Sequence, residues 1–229
     1  MNSNFFDRKY FFGRSKSNYR NYNSYDNNSY WRPFLKSLKK YGVISDENRK
    51  ERVLEIGCAF GFFLKRLQPY FAELYGVDIS GFALQQAKKI LPKAKLEVGD
   101  INKELNYPSN YFDCIVALDV LEHTKSVKRS LENILPALKN DGHLLISLPV
   151  KDSWAGKLFG LWDKDESHIS ILSLKDLENI LQSLNLQIIQ KRFFWNVIFF
   201  QIPGIPVDVQ FLLKKDNLFV GKKKKYVLQ

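Results

Sequence analysis

The sequence predicts an α/β protein with a Rossmann-like, seven-stranded sheet and helices on both faces. Short apolar segments alternate with amphipathic ones through most of the chain, which is typical of a parallel sheet built from strand–helix units. Several of these apolar segments end in Gly, Asp or a Gly–Asp pair, where a ligand-binding turn is expected. The 229 residues are 45% hydrophobic, which is enough for the core of one large domain.

The elements follow from local patterns. Apolar runs bounded by turn residues predict strands over 52–57, 73–80, 94–100, 111–120, 143–150, 186–195 and 217–225. Apolar residues at helical spacing predict helices over 31–41, 62–71, 81–91, 126–142 and 173–185. Ser80 and Ser173 stand at expected N-caps, and Gly42 is a natural helix stop.

Charge and composition divide the chain into a flexible, basic and aromatic arm over 1–30 and one domain over 31–229. The net charge of +11 is distributed as +7 over 1–50, −2 over 51–190 and +6 over 191–229. Basic ends around a nearly neutral body favour an anionic ligand. The alternative is that these charges serve solubility alone.

Residues 193–213 come close to the length of a membrane span but contain Asn196, Gln201, Asp208 and Gln210, together with two prolines. We predict a buried strand followed by a loop that covers the cleft. The segment 195–216 is therefore expected to be a substrate-facing insertion, as is 151–172. Peripheral contact with a membrane surface is the alternative.

The two cysteines, Cys58 and Cys114, form no CxxC pair, so neither a disulfide framework nor a zinc site is predicted. The first twenty residues lack the continuous apolar stretch of a signal peptide. Together these features predict a cytoplasmic protein. The sequence leaves the oligomeric state open.

Residues suited to a nucleoside ligand follow the first three predicted strands. Gly57 and Gly61 flank a tight turn in which a ligand can approach the backbone. Asp78 follows the second strand and could accept hydrogen bonds from two ribose hydroxyls. Asp100 and Ile101 follow the third and could hold an adenine. Each feature alone could be an ordinary turn or helix cap, but the three together predict a nucleoside site at one sheet edge.

The segments VLEIGCAFG, GVDIS, GDI, FDCIVALDVLEHT and LKNDGHLLISLPV closely resemble the successive motifs of class I S-adenosylmethionine-dependent methyltransferases. The resemblance covers about 31–192 and is closest to the branch that includes ubiquinone and menaquinone biosynthesis methyltransferases. It implies S-adenosyl-L-methionine as cofactor. It also implies a set of cofactor-binding residues: Glu55, Gly57, Cys58, Ala59, Phe60, Gly61, Asp78, Ile79, Asp100, Ile101 and Leu118.

By that resemblance, Glu55 orients the loop and the methionine end of the cofactor, and the backbone of Leu118 meets its amino group. The loop departs from the family pattern at Ala59, which replaces its middle glycine, and we expect tighter geometry there rather than loss of binding.

The spacing of the glycines in this loop does not match the GxGxxG motif of dinucleotide-binding sites. A sulfonium cation can instead be stabilised by aromatic faces, for which Phe60, Tyr25, Tyr30 and Trp31 are candidates; packing is their alternative role. Arg32 could pair with the cofactor's carboxylate or be a solvated arm residue.

Two of the three histidines are candidate catalytic residues. His123 follows the fourth strand, and His168 lies on a polar connection after the fifth; either could take a proton from the acceptor. Capping or packing is the alternative for both, and His143 is expected to be structural. Asp119 and Glu122 are alternatives for orienting the substrate. No metal site is predicted, because the acids and histidines are scattered without a recognisable ligand spacing.

The function predicted is methyl transfer to a small-molecule or lipid-linked acceptor, apolar or aromatic with an anionic group. The alternatives are a nucleic-acid or protein methyltransferase, for which basic arms and aromatic residues would suit RNA, and a non-catalytic cofactor-binding protein. A nicotinamide oxidoreductase is disfavoured by the loop spacing. An apolar acceptor wall is expected from Trp154, Phe159, Leu161 and Trp162. The arm is expected to become ordered when the cofactor binds.

Overall fold

A computed structural model describes residues 3–13, 17, 19–155, 157, 165–197 and 200–216. The strands in this part of the chain are β1 (Lys50–Ile56), β2 (Phe71–Asp78), β3 (Lys95–Val98), β4 (Phe112–Leu118), β5 (Leu138–Pro149), β6 (Leu186–Val197), β7 (Phe200–Pro203) and β8 (Asp208–Lys215). They form one sheet in the order β3-β2-β1-β4-β5-β8-β6-β7. The α/β class with a Rossmann-like sheet is confirmed.

The strands β1 to β5 are mutually parallel, whereas β8 runs antiparallel to both of its neighbours. The chain order reverses between β1 and β4. In an open α/β sheet, ligands bind at the carboxyl ends of the strands beside such a switch point. The topology therefore points to the ends of β1 and β4.

The helices in the described residues are α1 (Arg8–Phe12), α2 (Asn28–Lys40), α3 (Phe62–Leu67), α4 (Gly81–Ile90), α5 (Val127–Ile134) and α6 (Leu174–Ser183). Short 3-10 turns occupy Ser3–Phe5, Tyr22–Tyr25, Leu121–His123 and Leu135–Ala137. The predicted N-caps of α4 and α6 are present: the hydroxyls of Ser80 and Ser173 accept backbone hydrogen bonds.

The sheet separates two apolar layers. One face is covered by the arm and α2 to α4, and its core includes Phe34, Phe63 and Phe194. The other is covered by α5 and α6, with Leu131 and Leu177 buried against the strands. Because both faces are covered, the central strands are apolar almost throughout.

The helix predicted over 126–142 is wrong in its second half. Helix α5 ends at Ile134, a 3-10 turn containing Pro136 follows, and β5 begins at Leu138. Proline has no N–H to continue the helical hydrogen bonds. The chain therefore enters the sheet five residues before the predicted strand at 143.

The cleft-covering loop predicted within 195–216 is also wrong, because this segment forms β7 and β8. That the segment faces the substrate stays a prediction. Strand β8 lies in the sheet between β5 and β6, and residues 208–213 are buried. The polar residues that suggested a loop are satisfied inside the sheet: Gln210 donates to the hydroxyl of Ser37 at 2.9 Å and accepts from Arg192. The described residues thus form eight strands, where the sequence predicted seven in the whole chain, and the strand predicted over 217–225 lies outside the described residues.

The arm also differs from the flexible segment expected over 1–30. Its described residues fold onto the domain, with Tyr10 and Phe11 each only 4% exposed. Aromatic side chains bury large apolar areas, which offsets the loss of chain entropy. The boundary between the arm and the domain also shifts, because α2 begins at Asn28 rather than at Trp31.

No helix in the described part of the chain has both the length and the apolar character needed to cross a bilayer. The segment 193–213, whose length raised that question, lies largely in β6, β7 and β8.

Candidate cofactor and acceptor site

A cleft lies at the carboxyl ends of β1, β2 and β4, beside the switch point of the sheet. Loop residues after the strands form its floor: Gly57, Ala59, Asp78, Ile79, Asp100, Ile101, Leu118, Asp119 and Val120. Aromatic residues of the arm and α2 form its roof: Phe6, Tyr10, Phe11, Tyr19, Tyr22, Tyr25, Tyr30 and Trp31.

The turn after β1 requires glycine at position 57. Gly57 has a φ of +64°, and a Cβ at this position would lie 2.6 Å from Cγ2 of Val120. Its backbone N–H donates to the carbonyl of Val77 at 2.7 Å, which holds the turn against β2. Both the backbone conformation and the close approach therefore exclude a side chain.

Asp78 connects this turn to the end of β2. Its Oδ2 accepts a hydrogen bond from the backbone N–H of Ala59 at 2.8 Å, and its Oδ1 accepts one from Ser80 at 2.7 Å. Burial raises the pKa of Asp78 to about 6, partly offset by those two hydrogen bonds. The carboxyl lines the cleft, where a ribose hydroxyl could reach it.

Ala59, which replaces the middle glycine of the family's loop, has a φ of +43°. This is the left-handed region, in which a residue with a Cβ is strained. The structure therefore keeps a glycine-like backbone at this position with an alanine side chain.

Glu55 lies beneath the turn. It is buried, and its Oε2 has no hydrogen-bond partner among the described residues. Burial raises the pKa of Glu55 well above its usual value, and a hydrogen bond from the backbone of Leu64 opposes that shift. Glu55 thus holds the start of α3 and offers an unpaired oxygen beneath the loop.

The predicted cofactor-binding residues separate into two groups. Gly57, Ala59, Asp78, Ile79, Asp100, Ile101 and Leu118 line the cleft, whereas Glu55, Cys58, Phe60 and Gly61 are not among its lining residues. Cys58 is buried, and its Sγ would lie 2.8 Å from a Cβ placed on Gly76 of β2. Phe60 packs against Phe11 and Tyr22, with ring centroids 5.0 and 4.9 Å away.

The turn after β3 is held by polar contacts. Oδ1 of Asp100 accepts two hydrogen bonds from Asn102, and the side chain of Asn133 donates to the carbonyl of Ile101 at 2.9 Å. The floor of the cleft therefore combines the glycine turn at Gly57, the buried carboxyl of Asp78 and the apolar side chain of Ile101, whose backbone is held in place. These features fit a cofactor made of a nucleoside and an amino acid.

The roof is a continuous set of aromatic rings in contact with one another. Tyr22 stacks on Tyr25 at 5.4 Å, and Tyr25 meets Tyr30 edge to face at 5.2 Å. Tyr25, Tyr30 and Trp31, three of the predicted sulfonium contacts, line the cleft. Arg32 is exposed and is not among the lining residues, so its position agrees with a solvated arm residue.

His123 and His168, 45 positions apart in the sequence, come together beside the cleft. Their ring centroids are 4.9 Å apart, and His123 lines the cavity. The backbone N–H groups of Ile169 and Ser170 both donate to the carbonyl of Glu122, at 3.0 and 2.9 Å. The loop that carries His168 is thereby fixed on the turn that carries His123.

A chain of polar contacts links His123 to the arm. Nδ1 of His123 lies 2.8 Å from the hydroxyl of Ser167, which also donates to Asp165. The hydroxyl of Tyr10 donates to the other oxygen of Asp165 at 2.8 Å. Sequence reasoning missed Tyr10, Asp165 and Ser167; the polar run 163–168 was the local signal for the last two.

Asp119, an alternative for orienting substrate, lies at the end of β4 with a φ of +51°. Its Oδ1 accepts a hydrogen bond from Ser147 at 2.7 Å, and its Oδ2 accepts one from Tyr30 at 3.3 Å. Burial raises the pKa of Asp119, and the hydrogen bonds from Ser147 and Tyr30 oppose that shift. Asp119 connects β5 and α2 across the cleft floor.

Other predicted residues lie elsewhere. Trp154 is 68% exposed, while Phe159, Leu161 and Trp162 lie outside the described residues, so the expected apolar wall is untested. His143 pairs with Cys114 near the amino end of β4, away from the cleft.

Comparisons with known proteins give one family. A family model for a methyltransferase domain matches residues 23–191. The uncharacterized methyltransferase YcgJ of Bacillus subtilis is 27% identical over 161 residues, covering 65% of this chain and 61% of that protein. A ubiquinone biosynthesis O-methyltransferase of Bradyrhizobium diazoefficiens is 31% identical over 99 residues, covering 42% of this chain and 39% of that protein. This chain therefore matches less than two thirds of the length of either relative.

The YcgJ protein of Bacillus subtilis is also similar to this chain in its solved structure. The crystal structure of the Bacillus subtilis YcgJ protein aligns with a TM-score of 0.60 and 20% identity. The alignment covers 75% of this chain and 94% of that one. At this level of identity the likeness is one of fold.

Proposed function

The chain belongs to the family of methyltransferase domains and is S-adenosylmethionine-dependent, and on that premise we propose that it methylates a small or lipid-linked acceptor with an apolar or aromatic body and an anionic group. The observation that carries the proposal is the cleft itself. Its floor consists of the cofactor-motif residues, its roof consists of aromatic rings, and His123 lies on its wall.

The form of the cleft supports a small acceptor. The roof encloses a space bounded by aromatic side chains rather than an open basic groove, and flat apolar molecules pack well against such rings. The name of the Bradyrhizobium relative, a ubiquinone biosynthesis O-methyltransferase, agrees with an acceptor of this kind. The basic excess in both terminal segments supports an anionic group.

The residues of the floor have separate parts in holding the cofactor. Asp78 is proposed to accept hydrogen bonds from the ribose, and Ile79 and Ile101 to contact the adenine. Glu55 orients the turn beneath the methionine end, and the Gly57 backbone admits that end. When bound, the cofactor supplies an activated methyl group on a sulfonium.

The roof and the histidines act on the acceptor. Aromatic rings of the arm exclude water and align the acceptor, so that proximity supplies much of the rate. The acceptor's nucleophilic atom bonds to the methyl carbon as the carbon–sulfur bond breaks with its electron pair going to sulfur, and a proton leaves the acceptor. His123 and His168 are proposed to promote that loss of a proton.

Calorimetry with S-adenosylhomocysteine tests the cofactor site. We expect micromolar binding by the full chain, at least tenfold weaker binding by Asp78→Asn, and unchanged binding by Asp46→Asn, a surface control. Equal binding by Asp78→Asn would remove Asp78 from the site.

Transfer of a labelled methyl group tests the acceptor class. Phenolic acids, polyprenyl phenols and total RNA are offered in parallel with labelled cofactor. Label in an organic-soluble or small acidic product supports the proposal, and label in RNA alone overturns it.

A further inference from the structure

Glu122, His123 and His168 bring three metal-ligating groups to one point. One carboxylate oxygen and one nitrogen from each imidazole lie within 4.8 Å of one another. We infer that these three residues bind a divalent transition-metal ion beside the acceptor. The inference rests on the proposed function, because it names how that site activates the acceptor.

The donor set determines the class of ion. Two imidazoles and one carboxylate suit zinc, iron(II), cobalt(II) or manganese(II) better than magnesium or calcium, which prefer oxygen ligands. Three protein ligands also leave coordination positions for an acceptor oxygen and water, as catalytic metal sites do. The sequence alone predicted no such site, because His168 lies 45 positions from His123.

The state of Glu122 supports a cation independently. The residue is 1% exposed, and its Oε2 has no hydrogen-bond partner within the described part of the chain. A buried carboxylate without a partner is unfavourable, and coordination of a cation is one of the few ways to stabilise it. A carboxylate oxygen of the same residue lies within 4.8 Å of one nitrogen of each imidazole.

His123 is held in the tautomer that a metal requires. The hydroxyl of Ser167 donates its only proton to Asp165, so it can only accept from Nδ1–H of His123. The neutral ring then carries its lone pair on Nε2. Metal-binding histidines commonly donate their other ring N–H to an orienting group in this way.

The two segments that supply the ligands are fixed relative to each other. Besides the two backbone hydrogen bonds to Glu122, the hydroxyl of Ser170 donates to the carbonyl of Thr124 at 2.5 Å. The ring of Phe6 contacts the ring of His123 edge to face at 5.8 Å. The ligands are therefore organised in advance by the backbone and the arm.

The position of the cluster assigns a substrate class. His123 and Thr124 line the same cleft as Gly57 and Asp78, so a bound cation would face the acceptor. A cation binds an oxygen anion directly and lowers the pKa of a coordinated hydroxyl. The acceptor is thus inferred to present an oxygen donor to the metal.

The test uses the full chain and Co²⁺ as the probe, followed by its visible absorption. We expect saturable binding at one site, with visible bands that indicate nitrogen and oxygen ligands. His168→Ala and Glu122→Gln should each weaken Co²⁺ binding at least tenfold. His143→Ala is the matched control and should leave it unchanged.

The Ser167→Ala variant tests whether the orientation of His123 affects Co²⁺ binding while all three ligands remain. It keeps all three ligands but removes the oxygen that orients His123, so we expect Co²⁺ to bind roughly tenfold more weakly. Thermal unfolding of each variant shows whether the domain remains intact. A folded His168→Ala or Glu122→Gln variant with wild-type affinity for Co²⁺ would overturn the inference.

S-adenosylhomocysteine binding in the same samples distinguishes this inference from the proposed function. Protein that binds the product but shows no saturable Co²⁺ site overturns the metal site alone. Protein that binds Co²⁺ through these residues but not the product keeps the metal site and overturns the proposed function.

Discussion

The backbone N–H of Ala59 donates a 2.8 Å hydrogen bond to Oδ2 of Asp78, and this contact joins the turn after β1 to the end of β2. The two strands are parallel neighbours, so their carboxyl ends deliver both residues to the same edge of the sheet. Asp78 consequently serves both the turn and the cleft. A change at either residue should affect the fold of the turn and the binding of the cofactor together.

Cofactor affinity should fall in mild acid. The pKa of Asp78 is raised to about 6 by burial, and ribose hydroxyls bind its ionised form better than its neutral form. Binding of S-adenosylhomocysteine should therefore weaken as pH falls through 6, by about tenfold at one pH unit below that value. Calorimetry across this range measures the change. Asp78→Asn should bind weakly at every pH, and an equal pH dependence in that variant would assign the effect to another group.

Gly57→Ala should disrupt the turn after β1. The new Cβ would lie 2.6 Å from Val120 in a left-handed backbone conformation, so we expect a loss of about 2 kcal/mol or more in the free energy of unfolding. Gly42→Ala is a matched control, since its φ of +67° is similar but no atom lies within 4 Å of the added Cβ. Denaturant unfolding should show a larger loss for Gly57→Ala. Equal losses would mean that backbone strain alone matters.

Ala59→Gly should stabilise the protein slightly. An alanine at a φ of +43° is strained by about 1–2 kcal/mol, while glycine costs roughly 0.5–1 kcal/mol in chain entropy. The expected net gain in the free energy of unfolding is between about 0 and 1.5 kcal/mol, measured by denaturant unfolding. Ala83→Gly, inside α4, is the control and should destabilise by about 1 kcal/mol. A loss of stability in Ala59→Gly would show that its methyl group packs usefully against the cleft.

Tyr10→Phe should loosen the arm. The hydroxyl removed donates to Asp165, and the variant leaves that acceptor without its 2.8 Å contact. We expect a loss of about 1 kcal/mol in the free energy of unfolding and faster proteolysis within the arm. Tyr41→Phe, at the C-cap of α2, is the control. Unchanged proteolysis of Tyr10→Phe would mean that ring packing alone holds the arm.

His143 should contribute to acid sensitivity. Its pKa is lowered to about 4, first by burial and then by Lys50 and Lys214. Between pH 4 and about 6.5 the unfolded chain binds the extra proton, so the free energy of unfolding should decrease as pH falls through that window. In His143→Gln the contribution of this imidazole to the pH dependence of the free energy of unfolding is absent. Unfolding measured at several pH values should show wild type losing stability relative to His143→Gln as pH falls, with the largest change reached near pH 4; a difference that stays constant with pH would contradict the shift.

Several features could be predicted from local sequence because they depend on neighbours in the chain. The N-caps of α4 and α6 follow from Ser80 and Ser173, and the turn after β1 follows from Gly57 and Gly61. Strand β8 could not be predicted in this way. Its Asp208 and Gln210 resemble loop residues until the partners that satisfy them, such as Ser37 and Arg192, are brought alongside.

The sequence by itself determined the fold class, the cofactor family and the order of the cofactor-binding motifs, because each motif lies at the end of a strand whose pattern is local. Only the tertiary structure decided that the arm forms the roof of the cleft and that Glu122, His123 and His168 converge. Those relationships join distant segments of the chain: His168 lies 45 positions from His123, and Asp165 lies 155 positions from Tyr10. Their energies come from ring packing and buried hydrogen bonds between distant segments, which leave no periodic signal in the chain.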